Sequence, residues 1–140
     1  MSQTITNQIE RASQRTEQEL HIVVVSNDPT RVYPAVTLAL GASALGAKAN
    51  LYFTMLGLDA IRTDAAERIK FQGLPPIDKY IKDAIQAGAK VSACAPSREM
   101  LSSFGITETS VLPGVALEDV VGFLSSALPA AKSGGIVLFV

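Results

Sequence analysis

Five short, largely apolar runs recur along the chain with helical segments between them, and that alternation restricts the fold more than any other feature. The first, His21-Ile22-Val23-Val24-Val25, is continuously apolar after its histidine, as a central parallel strand covered on both faces must be. Asn50-Leu51-Tyr52-Phe53-Thr54, Val91 to Ala93, Ser110-Val111-Leu112 and Ile136 to Val140 supply the other four strands. Ser26 to Thr30 is a turn with several possible N-caps, ahead of a helix expected over Arg31–Gly46. Gly57 and Leu58 lead into a helix through Ile69, and Gly73-Leu74-Pro75-Pro76 breaks the chain. Ile77, Tyr80, Ile81, Ala84 and Ile85 then form a core stripe closed by Gly88. A helix is expected from Pro96 to Phe104. Another begins near Ala116, with Glu118 and Asp119 in its first turn and Leu117, Val120, Val121 and Leu124 facing inward.

Strands alternating with helices imply right-handed crossovers. The expectation is a single-domain α/β fold of flavodoxin-like type: a five-stranded parallel sheet with helices on both faces, over residues 20–140, after a polar arm at 1–19. A chain of 140 residues that is 48% hydrophobic can bury a real core. A net charge of −1 gives no sign of a nucleic-acid or polybasic membrane surface. No apolar run spans a bilayer, the N-terminus lacks a signal-peptide core, and a single cysteine suits a reducing compartment, so a cytoplasmic protein is expected.

That single cysteine, Cys94, falls where a strand is expected to end and a helix to begin. Pro96 is placed like a first helical residue, and Arg98 lies in the first turn. Unsatisfied N–H groups and the positive end of a helix dipole favour a thiolate at such a junction. The plainer alternative is a cysteine packed as a small hydrophobe. Ligand sites of open parallel sheets collect beyond the carboxyl ends of the strands, and Cys94, Asp28 and Met55 to Leu58 all lie at such ends.

Other chemistries fit poorly. His21, the only histidine, sits at the far end of its strand from the Cys94 region and reads as a strand-end residue rather than a base. One Cys and one His do not make a zinc set. There is no Gly-rich phosphate loop, and Ser26 to Thr30 reads as N-capping rather than an anion site. Arg98 follows the cysteine too closely for a rhodanese or phosphatase loop, and without Cys-x-x-Cys no internal disulfide cycle exists. An activated cysteine can still accept a group and pass it on, and persulfide is the simplest such cargo.

Phe53-Thr54-Met55-Leu56-Gly57-Leu58 resembles the Phe-Thr-Phe-Trp-Gly-Leu element of DsrE/DsrF-like proteins, with Leu56 in place of the aromatic. Gly88-Ala89-Lys90-Val91-Ser92-Ala93-Cys94 is similar to that family's Gly-Val-Lys-hydrophobic-x-Ala-Cys segment, although Ala95-Pro96-Ser97 departs from it. The resemblance implies a sulfur carrier with a covalent persulfide on Cys94 and no separate cofactor or metal, rather than a multiple-turnover enzyme. It further implies a homo-oligomer, a trimer or a multiple of it, working with TusA-like or rhodanese-like proteins. The readings that stand beside it are a flavodoxin-like small-molecule or nucleotide binder, or a structural oligomer subunit, with Cys94 merely packed. Val32 to Ala47 carries no charge, and its small residues Ala39, Gly41, Ala42, Ser43 and Ala44 suit a helix covered by another subunit. Leu74-Pro75-Pro76-Ile77 is a candidate cover for the thiol.

Overall fold

The computed structural model describes residues 4–5, 18–95 and 110–140. Strands β1 (Glu19–Val24), β2 (Lys48–Phe53), β3 (Lys90–Cys94), β4 (Ala116–Glu118) and β5 (Ile136–Phe139) pair in parallel throughout, in the order β4-β3-β2-β1-β5. Helices α1 (Pro29–Ala44), α2 (Ile77–Gln86) and α3 (Val120–Lys132) complete the described α-helical part. This is the expected α/β sheet with helices on both faces.

The apolar alternation within each strand decides which layer covers it. Ile22 and Val24, Leu51 and Phe53, and Val91 and Ala93 point to one face, where Val32, Val36, Ile77 and Ile81 of α1 and α2 complete the main core. Val23 and Tyr52 point the other way, against Phe123 and Ala127 of α3. From β1 to β4 the chain steps in one direction across the sheet, and β5 lies on the far side of β1. The return step must therefore carry α3 over the opposite face if all crossovers share one hand.

Four local expectations are corrected. Residues 57–69 do not form an α-helix but 3-10 turns at Met55–Ile61 and Ala66–Arg68. Leu112 N–H donates to the Ile61 carbonyl and Thr63 N–H to the Ser110 carbonyl, around an antiparallel bridge between Arg62 and Val111. Those bonds use backbone groups that an α-helix would need for itself. The same bridge takes Ser110-Val111-Leu112 out of the sheet.

The fourth strand is instead Ala116–Glu118, where a helix start was expected. Pro113 and Gly114 (φ 88°) turn the chain so that it runs back beside β3, where Ala95 N–H donates to the Glu118 carbonyl at 3.0 Å. Helix α3 starts only at Val120, with Asp119 Oδ1 accepting from Gly122 N–H at 2.7 Å as its N-cap. Its buried stripe is Phe123, Ala127 and Ala130, whereas Val120, Val121 and Leu124 are exposed. The helix is apolar nearly all round, so its pattern could not choose a face. The small Ala127 and Ala130 let it lie close to the sheet.

Gly57 ties the end of β2 to β1. A Cβ there would overlap the Val24 carbonyl oxygen, which also accepts from Thr54 N–H at 3.0 Å. Met55, two residues before Gly57, adopts a left-handed conformation (φ 54°). Gly57→Ala is expected to destabilise the fold by about 1–3 kcal/mol, because backbone rather than a mobile side chain must move. Gly41→Ala on α1, with nothing within 4 Å of the added methyl, is expected to stabilise by about 0.5–1 kcal/mol. Urea unfolding midpoints at unchanged slope measure both.

Candidate functional site

Cys94 is the last residue of β3 and is half-buried. Because Val91 and Ala93 enter the main core, alternation turns Ser92 and Cys94 to the α3 face. Cys94 pairs in register with Glu118 of β4, and Tyr52 of β2 pairs with Ser92 one step behind it. The tyrosine side chain thus shares a face with the thiol on the neighbouring strand.

Tyr52 is tightly held. It is 3% exposed, and its ring stacks on Phe123 with centroids 4.6 Å apart and planes 20° from parallel. Its hydroxyl donates to the Glu118 carbonyl oxygen at 3.2 Å, so the side chain reaches from β2 over β3 to β4 at the level of Cys94, which pairs with Glu118. Burial, first of all, then the Cys94 contact and the nearby negative charges of Glu118 and Asp119 push the phenol above its usual range. At neutral pH it is therefore an O–H donor and not a base.

Cys94 and Tyr52 open into a cleft of about 410 Å³ whose other walls include Thr54, Val120, Leu124 and Phe139. Its rim is apolar and open to solvent, with Phe139 73% and Leu128 64% exposed. Glu118 is 14% exposed at the cleft's β4 side, and Lys90 Nζ lies 3.1 Å from its Oε2, which neutralises a carboxylate in a poorly solvated place.

The other candidates separate from this cleft. Pro96, Arg98 and the helix expected over 96–104 lie outside the described residues, so only the strand half of the predicted junction is in view. Asp28 caps α1, with Oδ1 accepting from Thr30 N–H at 2.9 Å, and that bond above all holds its carboxyl below the ordinary range. His21 is a buried interior residue of β1, not a strand-end one. Asn50 Nδ2 donates to its Nδ1 at 3.2 Å, its Nε2 meets Glu19 Oε1 at 3.2 Å, and Phe123 packs against its ring. In register it lies level with Lys90, four residues before Cys94. Leu74 does not cover the thiol: it lines a separate apolar cleft with Tyr33, Pro34 and Leu38 of α1, on the other face. Among the described residues no group of three or more His, Cys, Asp or Glu is placed to hold a metal ion.

The family model for DsrE/DsrF/DrsH-like proteins matches residues 16–76. Over that stretch the chain is DsrE/DsrF-like. The match covers β1, α1, β2 and the turn carrying Phe53 to Leu58, and it ends before β3 and Cys94. No curated protein matches the chain. Tyr52 is the site residue that sequence reasoning missed. Its signal was a phenol on the opposite face of β2 from Leu51 and Phe53, but the register that brings it to β3 is not local information.

The raised phenol has a measurable consequence. Unfolded tyrosine loses its proton near pH 10 while folded Tyr52 keeps it, so stability is intact below about pH 10 and falls as pH rises above it. In an absorbance titration of the native protein, Tyr52→Phe should remove a late phenolate step. Removal of a step near pH 10 instead would contradict the buried phenol.

Proposed function

We propose that this chain carries sulfane sulfur as a persulfide on Cys94, in a sulfur relay between proteins. The observation that carries the reading is the placement of its one cysteine, half-buried at a strand's carboxyl end and opening into an apolar cleft. The DsrE/DsrF-like match over residues 16–76 supports the same class of activity.

The chemistry is a pair of exchanges. Cys94 thiolate attacks the outer sulfur of a donor persulfide, an Sγ–S bond forms, and the donor's S–S bond breaks with its electron pair leaving on the donor thiolate. In the second exchange an acceptor thiolate takes that outer sulfur and the Sγ–S electron pair returns to Cys94. Neither step changes the overall redox balance. The apolar walls slow loss of the sulfur to water and keep the charge on sulfur poorly screened. No separate cofactor is needed in this scheme.

The partners belong to the same proposal: TusA-like or rhodanese-like donors and acceptors in the cytoplasm, with Val120 and Leu124 beside the cleft as the apolar rim they would cover. Among the described residues, no helix is long and apolar enough to cross a membrane. Self-association as a homo-oligomer, a trimer or a multiple of it, is supported by α1. Its outward residues Pro34, Thr37, Leu38, Gly41 and Leu45 are exposed and uncharged, and the apolar cleft with Phe71 and Leu74 adjoins them. Ala39 is buried and Ala42 partly so, which narrows the available face.

Two measurements check these statements. Intact mass after incubation with inorganic polysulfide should rise by about 32 Da or multiples in the native chain and stay unchanged in Cys94→Ser. Undiminished loading of that variant would end the carrier reading. Light scattering at micromolar concentration should give a multiple of the 14.7 kDa chain, and Leu38→Glu should dissociate it. A native mass of one chain would refute self-association.

A further inference from the structure

We infer that the Tyr52 hydroxyl is a catalytic hydrogen-bond donor to Cys94 Sγ, holding the negative charge that this sulfur carries at the start of loading and regains at discharge. The inference rests on the carrier reading of Cys94 and goes beyond it by giving the transfer a second group.

The geometry is that of a donor fixed before reaction. Tyr52 and Cys94 face the same cleft from neighbouring strands, and the parallel register sets their spacing. The Phe123 stack stops the ring from turning away. Because the phenol keeps its proton well above neutrality, it has an O–H to offer at every working pH.

One proton faces two acceptors, and their difference in charge makes the device work. When Sγ is neutral, in the thiol or in the loaded persulfide with its charge on the outer sulfur, the hydroxyl is satisfied by the Glu118 carbonyl at 3.2 Å. When Sγ is anionic, it is the stronger acceptor, since charge-assisted hydrogen bonds are roughly twice as strong as neutral ones. The hydroxyl keeps the Glu118 carbonyl as a partner, so the buried phenol avoids the penalty of an unpaired donor between turnovers.

At discharge, the acceptor thiolate attacks the outer sulfur, the Sγ–S bond breaks, and the electron pair moves onto Sγ, where the Tyr52 O–H meets it. A better-stabilised leaving thiolate departs faster. Tyr52 thus acts on the two transfers and not on the stored persulfide.

Tyr52→Phe isolates this role, because it keeps the ring on Phe123 and removes only the oxygen. Native chain and variant are loaded anaerobically with inorganic polysulfide, and discharge to excess glutathione is followed by intact mass in a single turnover. The expected result is the same final loaded mass and discharge about tenfold slower in the variant, the effect of one hydrogen bond to a charged sulfur. Tyr33→Phe, which alters a buried tyrosine on the opposite face, should leave the discharge rate unchanged. Discharge of Tyr52→Phe at the native rate would overturn the assignment while leaving the carrier reading standing. Failure of the native chain to load at all would overturn both. Should Tyr52→Phe not fold, Phe123→Leu decides: it keeps the hydroxyl but frees the ring, so slowed discharge supports the assignment and native discharge overturns it.

Discussion

Four strands step one way across the sheet and the fifth lies back beyond the first. With right-handed crossovers, that reversal sends α3 to the face that α1 and α2 do not cover. The two faces are therefore built differently. One is a broad core in which Ile22, Val36, Leu51, Phe53, Ile77 and Ile81 are fully buried. The other depends on one described helix and on the stack of Phe123 against Tyr52. That stack joins sheet to helix at the wall of the cleft that Cys94 opens into.

The difference between the faces suits an exchange site. A sulfur passed from protein to protein has to be reached by another thiol, so its face cannot be sealed as the main core is. Around the Cys94 cleft, Val120, Leu128 and Phe139 remain in solvent, while Tyr52 immediately inside is buried. Fixed polar groups lie under an apolar rim: the Tyr52 hydroxyl on the Glu118 carbonyl, and the Glu118 carboxylate against Lys90. Electrostatic contacts in such a place are less screened than on an open surface, so one hydroxyl can matter to a reacting sulfur.

Much of the fold was legible. The runs at 21–25, 50–54, 91–93 and 136–140 all lie in or overlap sheet strands, and the α2 stripe ends at Gly88 with φ 107°. The failures share a cause. Residues 57–69 are helical in pattern, yet their backbone groups bond to the segment around Val111, far along the chain. Ala116 to Glu118 sit next to a helix start, yet the free edge of β3 draws them into the sheet. On α3, apolarity on every side left the choice of face to Phe123 and its partner ring.

By itself the sequence determined the alternation of strands and helices, the lone thiol at the end of a strand, and the glycine that closes α2. These follow from side-chain period, backbone sterics and composition, all local properties. Only the tertiary structure decided that Tyr52 stands beside Cys94, that His21 is engaged with Asn50 and Glu19 rather than with the thiol, and that Leu74 lies on the opposite face. Parallel neighbours are joined by long crossovers, so which residues pair across them depends on how the helices pack. A one-residue slip in register would turn Tyr52 into the other core, and nothing within β2 alone forbids it.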